Sequence, residues 1–289
     1  RSSEMTPTDF AARREELAQA IADAHAGRRA PLTMGVLNVT PDSFSDAGRF
    51  FDLEAARAQA RAMAADGAAI LDIGAESTRP GHRPVSEAEE WARLERHLPA
   101  ALDAAGAAAV SIDTTKAEIA RRATRLGCVV VNDQWALQAD PAMADVVAES
   151  GALLVAMHNG VDKDETRDVV GAMRRYFDET LRRADRAGIP RARILLDPGV
   201  GFAKTPRQNS EAAARMGELA DYGLPWLAGL SRKSFLAQYV EGGPEARLYA
   251  TLGAHLAAAA GGAAVIRAHD VRPHVEALAA WHGVRMAGR

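Results

Sequence analysis

One unit recurs eight times along this chain of 289 residues. It is a short apolar run, a polar residue, a loop, and then an Ala-rich amphipathic stretch. The apolar runs lie at residues 32–37, 69–71, 108–112, 129–131, 153–157, 194–196, 225–230 and 263–266. Their length and bounding residues suit buried strands. Helices are expected between them. Asp52 caps one that runs through Ala65 and stops at Gly67, and Ser86 with Glu89 forms a capping box for another running towards Leu98. Further helices are expected over residues 116–126, 141–150, 169–187, 209–220, 247–260 and 274–281. Strands alternating with helical crossovers require a parallel sheet. Eight of them let the sheet close on itself and bury its edges. The expected fold is therefore α/β, a (β/α)8 TIM barrel, with an extra helix over residues 8–24 packed on one end. Residues 1–30 form a tail and helix, and residues 31–289 a single domain. An open doubly wound sheet would show a Gly-rich turn after its first strand, which Gly35 to Thr40 does not supply.

Composition narrows the partners. Hydrophobic residues make up 48% and charged residues 25%, so the bulk of the chain can bury a core. A net charge of −3 gives no electrostatic case for nucleic acid or an anionic membrane. No window approaches 18 uninterrupted apolar residues, which argues against a transmembrane span. The one cysteine, Cys128, cannot staple the fold, so a reducing cytoplasm is the expected setting. No secretory leader is read, and the opening Arg1-Ser2-Ser3 suggests residues lost or gained at that end. Only four of the 35 basic residues are Lys: Lys116, Lys163, Lys204 and Lys233. A generic surface cation is written as Arg here, so a Lys inside a motif draws notice.

Each apolar run ends in polar residues: Asn38, Asp72, Asp113, Asn132 with Asp133, His158 with Asn159, Asp197, Ser231-Arg232-Lys233, and Arg267 with His269. A barrel brings these ends to one mouth, where barrel active sites are built. Asp113, Asn132, Asp197 and Lys233 mix acceptors and donors that can read the edge of a flat heterocycle. Asn38, Arg79, Arg267 and His269 supply donors and positive charge suited to a phosphate or pyrophosphate. Two loops rich in turn formers, residues 40–46 and 76–81, have the character of lids. The stretch from Gly199 to Thr205 is not a P-loop, because Ala203 stands where Gly must precede the Lys. Its glycines permit a tight turn near a ligand. His158 reads as a hydrogen-bonded wall residue. Trp135 either walls the mouth or packs under a helix.

These motifs resemble those of the dihydropteroate synthase family, the folate-pathway enzymes inhibited by sulfonamides. The resemblance rests on MGVLNVTPDSFSD at 34–46, DIGAESTRPG at 72–81, SIDT at 111–114, ND at 132–133, MH at 157–158, DPGVGF at 197–202, SRKS at 231–234 and RAHD at 267–270. It implies a transferase that joins 6-hydroxymethyl-7,8-dihydropterin pyrophosphate to p-aminobenzoate, releasing pyrophosphate. By motif position, Asp113, Asn132, Asp197 and Lys233 would hold the pterin, with Gly201 beside it. Asn38, Arg267 and His269 would hold pyrophosphate, with Mg2+ bound at Asn38. Phe44, Thr78, Pro80 and Ser234 would form the p-aminobenzoate site, and Asp46 and Arg79 would meet when their loops close. A homodimer is implied as well. The chain departs from the family at Ala47, Ala75 and Ala203, where Gly is usual, at Gln134-Trp135, where small residues are usual, and at Asn159-Gly160. A pterin-binding methyltransferase barrel is a rival, but it leaves Lys233 and the Arg267/His269 pair without a task. A non-catalytic pterin-binding barrel is a second rival.

Overall fold

A computed structural model describes residues 5–39, 48–76, 85–160, 166 and 168–288. Eight strands form one parallel sheet: β1 (Leu32–Asn38), β2 (Ile70–Gly74), β3 (Ala109–Asp113), β4 (Val130–Asp133), β5 (Leu153–Met157), β6 (Ile194–Asp197), β7 (Leu227–Ala228) and β8 (Val265–Ala268). Their order is β6-β5-β4-β3-β2-β1-β8-β7. A single bridge between Leu196 and Trp226 joins the two ends, and the Leu196 N–H donates to the Pro225 carbonyl at 3.0 Å. The barrel is thus closed, but its β6–β7 seam is thin.

The helices are α1 (Pro7–His25), α2 (Gly48–Ala65), α3 (Glu87–Ala104), α4 (Ala117–Leu126), α5 (Met143–Ser150), α6 (Val169–Ala187), α7 (Pro206–Ala214), α8 (Leu248–Ala260) and α9 (Val271–Ala287). Ser86 and Glu89 form the expected capping box. Four elements differ most from expectation. Asp52 is not a cap, because α2 begins at Gly48. The helix expected over residues 209–220 starts earlier, at a box formed by Thr205 and Gln208, and ends at Ala214. A 3-10 turn over Met216–Tyr222 follows it. The last helix outruns its expected span at both ends. The strand expected over residues 225–230 shrinks to Leu227–Ala228. Beyond it, the Leu230 N–H turns to the His255 ring instead of a neighbouring strand.

Side-chain alternation builds two cores. Leu37, Ile73, Val110, Val131, Leu154, Leu196 and Ile266 face outwards and pack under the helices. Met34, Ile70, Val130, Val155, Leu195 and Val265 fill the barrel interior. That interior continues into Leu17, Ile21 and Ala24 of α1, so the first helix plugs the N-terminal end of the barrel. Thr6 caps this helix by accepting the Asp9 N–H. Among the described residues, no helix is long and apolar enough to cross a membrane.

The plug predicts a stability effect remote from the mouth. Ile21→Ala should cost about 2–5 kcal/mol. Urea unfolding would read this as a lower midpoint with an unchanged slope, and a midpoint within error of the parent would contradict the plug.

Candidate active site at the barrel mouth

The alternation that turns Ile70, Val130, Leu195 and Val265 into the interior turns Asp72, Asn132, Asp197 and Arg267 inwards two residues later. All four come from even-numbered strands, so they make one barrel layer, and a polar one. Asp113 sits a step nearer the mouth, paired in register with Gly74 and Asn132.

Arg267 holds this layer together. Its Nε donates to Asp72 Oδ2 at 2.6 Å and its Nη2 to Asp113 Oδ2 at 2.9 Å. Asn132 donates to the same Asp72 oxygen at 2.9 Å. Asp72 is fully buried, and its other oxygen, Oδ1, has no hydrogen-bond partner. Gln134 donates to Asp113 Oδ1 at 2.7 Å. Burial and the neighbouring Asp72 push Asp113 up to about 7, against the pull of Arg267 and Gln134. For Arg267, burial opposes the charge, but Asp72 and Asp113 outweigh it and raise its pKa.

The opposite wall is built on the turn after β6. Asp197 Oδ1 accepts the Gly199 N–H at 2.7 Å. Burial raises the Asp197 pKa, and Lys233 opposes that shift. Gly199 has φ +63°, and a Cβ there would stand 1.8 Å from the His158 carbonyl oxygen. Gly201 has φ +92°, and its missing side chain leaves room for the Lys233 stem. Lys233 Nζ donates to the Val200 carbonyl and lies 4.9 Å from the centre of the Phe202 ring. Burial pulls Lys233 down to about 8, although Asp197 works the other way. Lys204 closes the turn, bonding to His158 Nδ1 at 2.8 Å and the Gly199 carbonyl at 2.9 Å. Ala203 has φ +46°, a conformation that favours glycine.

The structure thus brings together Asp113, Asn132, Asp197, Gly201, Lys233 and Arg267. His269 adjoins them, with Ser231 Oγ 2.9 Å from its Nδ1. Asn38 is half-buried at the end of β1, and Ser234 is exposed where a 3-10 turn begins. Phe44, Asp46, Thr78, Arg79 and Pro80 lie outside the described residues, as do Ala47 and Lys163. Arg267 differs from its expected grouping: two of its donors are turned onto carboxylates of the heterocycle-reading set. Asn132 likewise spends its amide on Asp72.

Sequence reasoning gave Asp72 no role, although its place two residues after Ile70 marks it as inward. It also missed Asp133, whose carboxylate accepts the Trp135 N–H at 2.9 Å and the Leu137 N–H at 2.6 Å. Burial lifts Asp133 to about 6, although these N–H donors pull the other way. That anchor holds Ala136 and Leu137 at positive φ and presents Gln134 to Asp113. Trp135 is half-buried in this turn, and its carbonyl accepts the Tyr176 hydroxyl at 2.8 Å.

Arg267→Ala would strip the counter-charge from buried Asp72, at a cost of about 3–5 kcal/mol in denaturant unfolding. A loss no larger than that of Arg272→Ala, whose ion pair with Asp66 is on the surface, would contradict this. In the ligand-free protein, a value for Asp113 above the ordinary 3.8 means that the folded state keeps its proton up to about 7. Its contribution to stability therefore falls as the pH rises through that window. Gln134→Leu removes a donor to the carboxylate, so the Asp113 midpoint should climb further. Carboxyl carbon NMR reads this directly, and an unchanged or lower midpoint would contradict the Gln134 contact.

The family profile described as "Pterin binding enzyme" matches residues 34–269 of this chain. The dihydropteroate synthase of Escherichia coli K12 is 40% identical over 256 residues, covering 86% of this chain and 89% of that protein. Among solved structures, the Clostridium difficile dihydropteroate synthase with pteroic acid superposes with a TM-score of 0.85 at 37% identity. That match covers 88% of this chain and 97% of the other. The Xanthomonas albilineans enzyme with 4-aminobenzoic acid gives 0.83 at 40% identity, over 89% and 93% of the two chains. With the barrel and its mouth already in place, these likenesses lead to one conclusion: the chain belongs to the dihydropteroate synthase family of pterin-binding enzymes.

Proposed function

We infer that this chain condenses 6-hydroxymethyl-7,8-dihydropterin pyrophosphate with p-aminobenzoate, giving 7,8-dihydropteroate and pyrophosphate. The observation that carries this reading is the inward-facing set of Asp113, Asn132, Asp197 and Lys233 at one mouth, with Arg267 among them. Such a set offers carboxylates to ring N–H groups and amide or ammonium donors to ring N and C=O. His269 and the charge of Arg267 draw the pyrophosphate end. Ser234 belongs to the p-aminobenzoate site, with Phe44, Thr78 and Pro80.

The residues suit a dissociative displacement. The C–O bond to pyrophosphate breaks, and its electron pair leaves with the phosphate oxygen. Asp113 and Asp197 stabilise the cation left on the pterin methylene. The arylamine is neutral at working pH and attacks without a strong base. The proton it sheds passes to water or to the departing pyrophosphate. Donors aimed at a developing charge are each worth roughly 3–4 kcal/mol in such sites.

Mg2+ fits the residues present. Among the described residues, no group of three or more His, Cys, Asp or Glu could hold a metal. Mg2+ does not need such a cage, because it keeps waters and phosphate oxygens and takes few protein ligands. Asn38 would give it one hard amide oxygen. When bound, the ion supplies positive charge to the leaving pyrophosphate.

Three further readings belong to this proposal. Sulfonamides, as arylamines shaped like p-aminobenzoate, compete for its site. A reducing, cytoplasmic setting suits the buried free thiol of Cys128. Two copies of the chain pair through the outer faces of α7 and α8. An apolar groove there is lined by Ala213, Phe235, Leu236, Tyr239, Ala254 and Ala257, and Tyr239 is 68% exposed.

Pyrophosphate release from the pterin ester with Mg2+, with and without p-aminobenzoate, tests the reaction. Release that requires p-aminobenzoate, with an equal yield of dihydropteroate, is the expected result. Lys233→Ala should weaken pterin binding and turnover together. Pterin binding without any release would count against the synthase and for a binding barrel. Light scattering on a sizing column tests the pairing: the parent should run as a dimer and Ala254→Arg as a monomer, and a monomeric parent would sink the dimer.

A further inference from the structure

The β7 strand is only two residues long and ends at Ala228. The segment beyond it carries Ser231, Arg232 and Lys233, so something other than the sheet must hold it. Two histidines outside the mouth do so. His255 of α8 and His274 of α9 are buried, with exposures of 1% and 0%. The Leu230 N–H donates to His255 Nε2 at 3.0 Å. His255 Nδ1 lies 2.9 Å from His274 Nε2, and His274 Nδ1 lies 2.6 Å from the Asp270 carbonyl oxygen. The rings meet edge to face, 4.9 Å apart.

The two ends fix where the protons are. A backbone N–H only donates, so His255 Nε2 is bare and its proton sits on Nδ1. A carbonyl only accepts, so His274 also carries its proton on Nδ1 and accepts through Nε2. Each ring is neutral and every ring nitrogen is used. A second proton on His255 would face the Leu230 N–H, although the Ala228 backbone beside the ring works the other way, and one on His274 would face the His255 N–H. Burial lowers both pKa values. The charged and titratable groups that bear on His255 are His274, Lys233 and His269, and Asp270 bears on His274.

The chain of bonds starts at Leu230, just before the Lys233 turn, and ends at Asp270, beside His269. Two more ties run parallel to it. Arg232, at φ +58°, grips the Asp270 carboxylate at 2.7 and 3.1 Å. Ser231 Oγ accepts the His269 N–H at 3.2 Å.

We propose that His255 and His274 are positioning residues: a neutral two-ring relay that sets the spacing between the Ser231–Lys233 turn and the Arg267–Asp270 segment. Through that spacing they set the affinity of the mouth for the anionic end of the pterin pyrophosphate. The proposal rests on the function inferred above.

Two measurements on the full chain test it. Long-range nitrogen–proton NMR of the ligand-free protein should show both rings neutral with the proton on Nδ1, from pH 8 down to pH 6. A charged ring, or a proton on Nε2 of either, overturns the relay whatever the enzyme does. Calorimetry with the pterin pyrophosphate, and with the hydroxymethylpterin lacking it, gives the second readout. His274→Leu leaves the His255 N–H unpaired and removes the ring's bond to the Asp270 carbonyl, so the pyrophosphate ester should bind about tenfold more weakly. The plain pterin should be little affected. His274→Gln, which offers one acceptor and one donor but does not titrate, should restore most of the loss. Equal weakening of both ligands, or no rescue by Gln in a protein that melts like the parent, overturns the proposal. If His274→Leu does not fold, the Gln variant and the ring spectrum decide. A parent that binds neither pterin would count against the inferred function, and the ring spectrum would still judge the relay.

Discussion

The guanidinium of Arg267 between Asp72 and Asp113 is the interaction on which the mouth depends. It puts one positive charge between two carboxylates, one of them fully buried. Removing a carboxylate from water is costly, and only a charged, well-aimed partner offsets it. Asp72 then fixes Asn132, and Asp113 receives Gln134, so one cation orients four other side chains. The arrangement is incomplete on its own. Asp72 keeps an unpartnered oxygen, and burial with the neighbouring Asp72 lifts Asp113 to about 7. A site with acceptor capacity to spare, lined by donors already in place, is prepared for a ligand that carries N–H groups.

Backbone strain gathers at the same end of the barrel. The four non-glycine residues at positive φ among the described residues are Ala136, Leu137, Ala203 and Arg232. They follow β4, β6 and β7. Each stands beside a buried or half-buried side chain that fastens its turn: Asp133 for the first two, Lys204 for the third and Asp270 for the fourth. Such conformations persist only where the surroundings over-determine them. The turns they shape carry Gln134, Phe202 and Lys233.

The two ends of the barrel divide the work. Apolar residues of α1 and the lower strands fill the N-terminal end and supply burial. The C-terminal end gives up burial for charge. Lysines follow this division. Lys116 joins Glu76 and the buried Glu90, Lys204 joins His158, and Lys233 joins Val200. In a chain that writes its surface cations as Arg, the described lysines are spent on contacts at or near the mouth.

Eight apolar runs with helical stretches between them pointed to the parallel barrel, because closing the sheet buries the edges of eight such strands. The polar residues ending those runs marked the mouth and named Asp113, Asn132, Asp197, Lys233 and Arg267. The sequence alone also determined the caps at Ser86 and Glu89, which depend on neighbours in the chain. Only the tertiary structure decided that Arg267 faces Asp72 and Asp113, since the partners lie 195 and 154 residues away. It alone shortened β7 and let His255 and His274 take over, and it alone made Asp133 an anchor and Gln134 a partner of Asp113. Local spacing specifies which face a side chain occupies. Which charge it meets there depends on how the strands come together around the barrel.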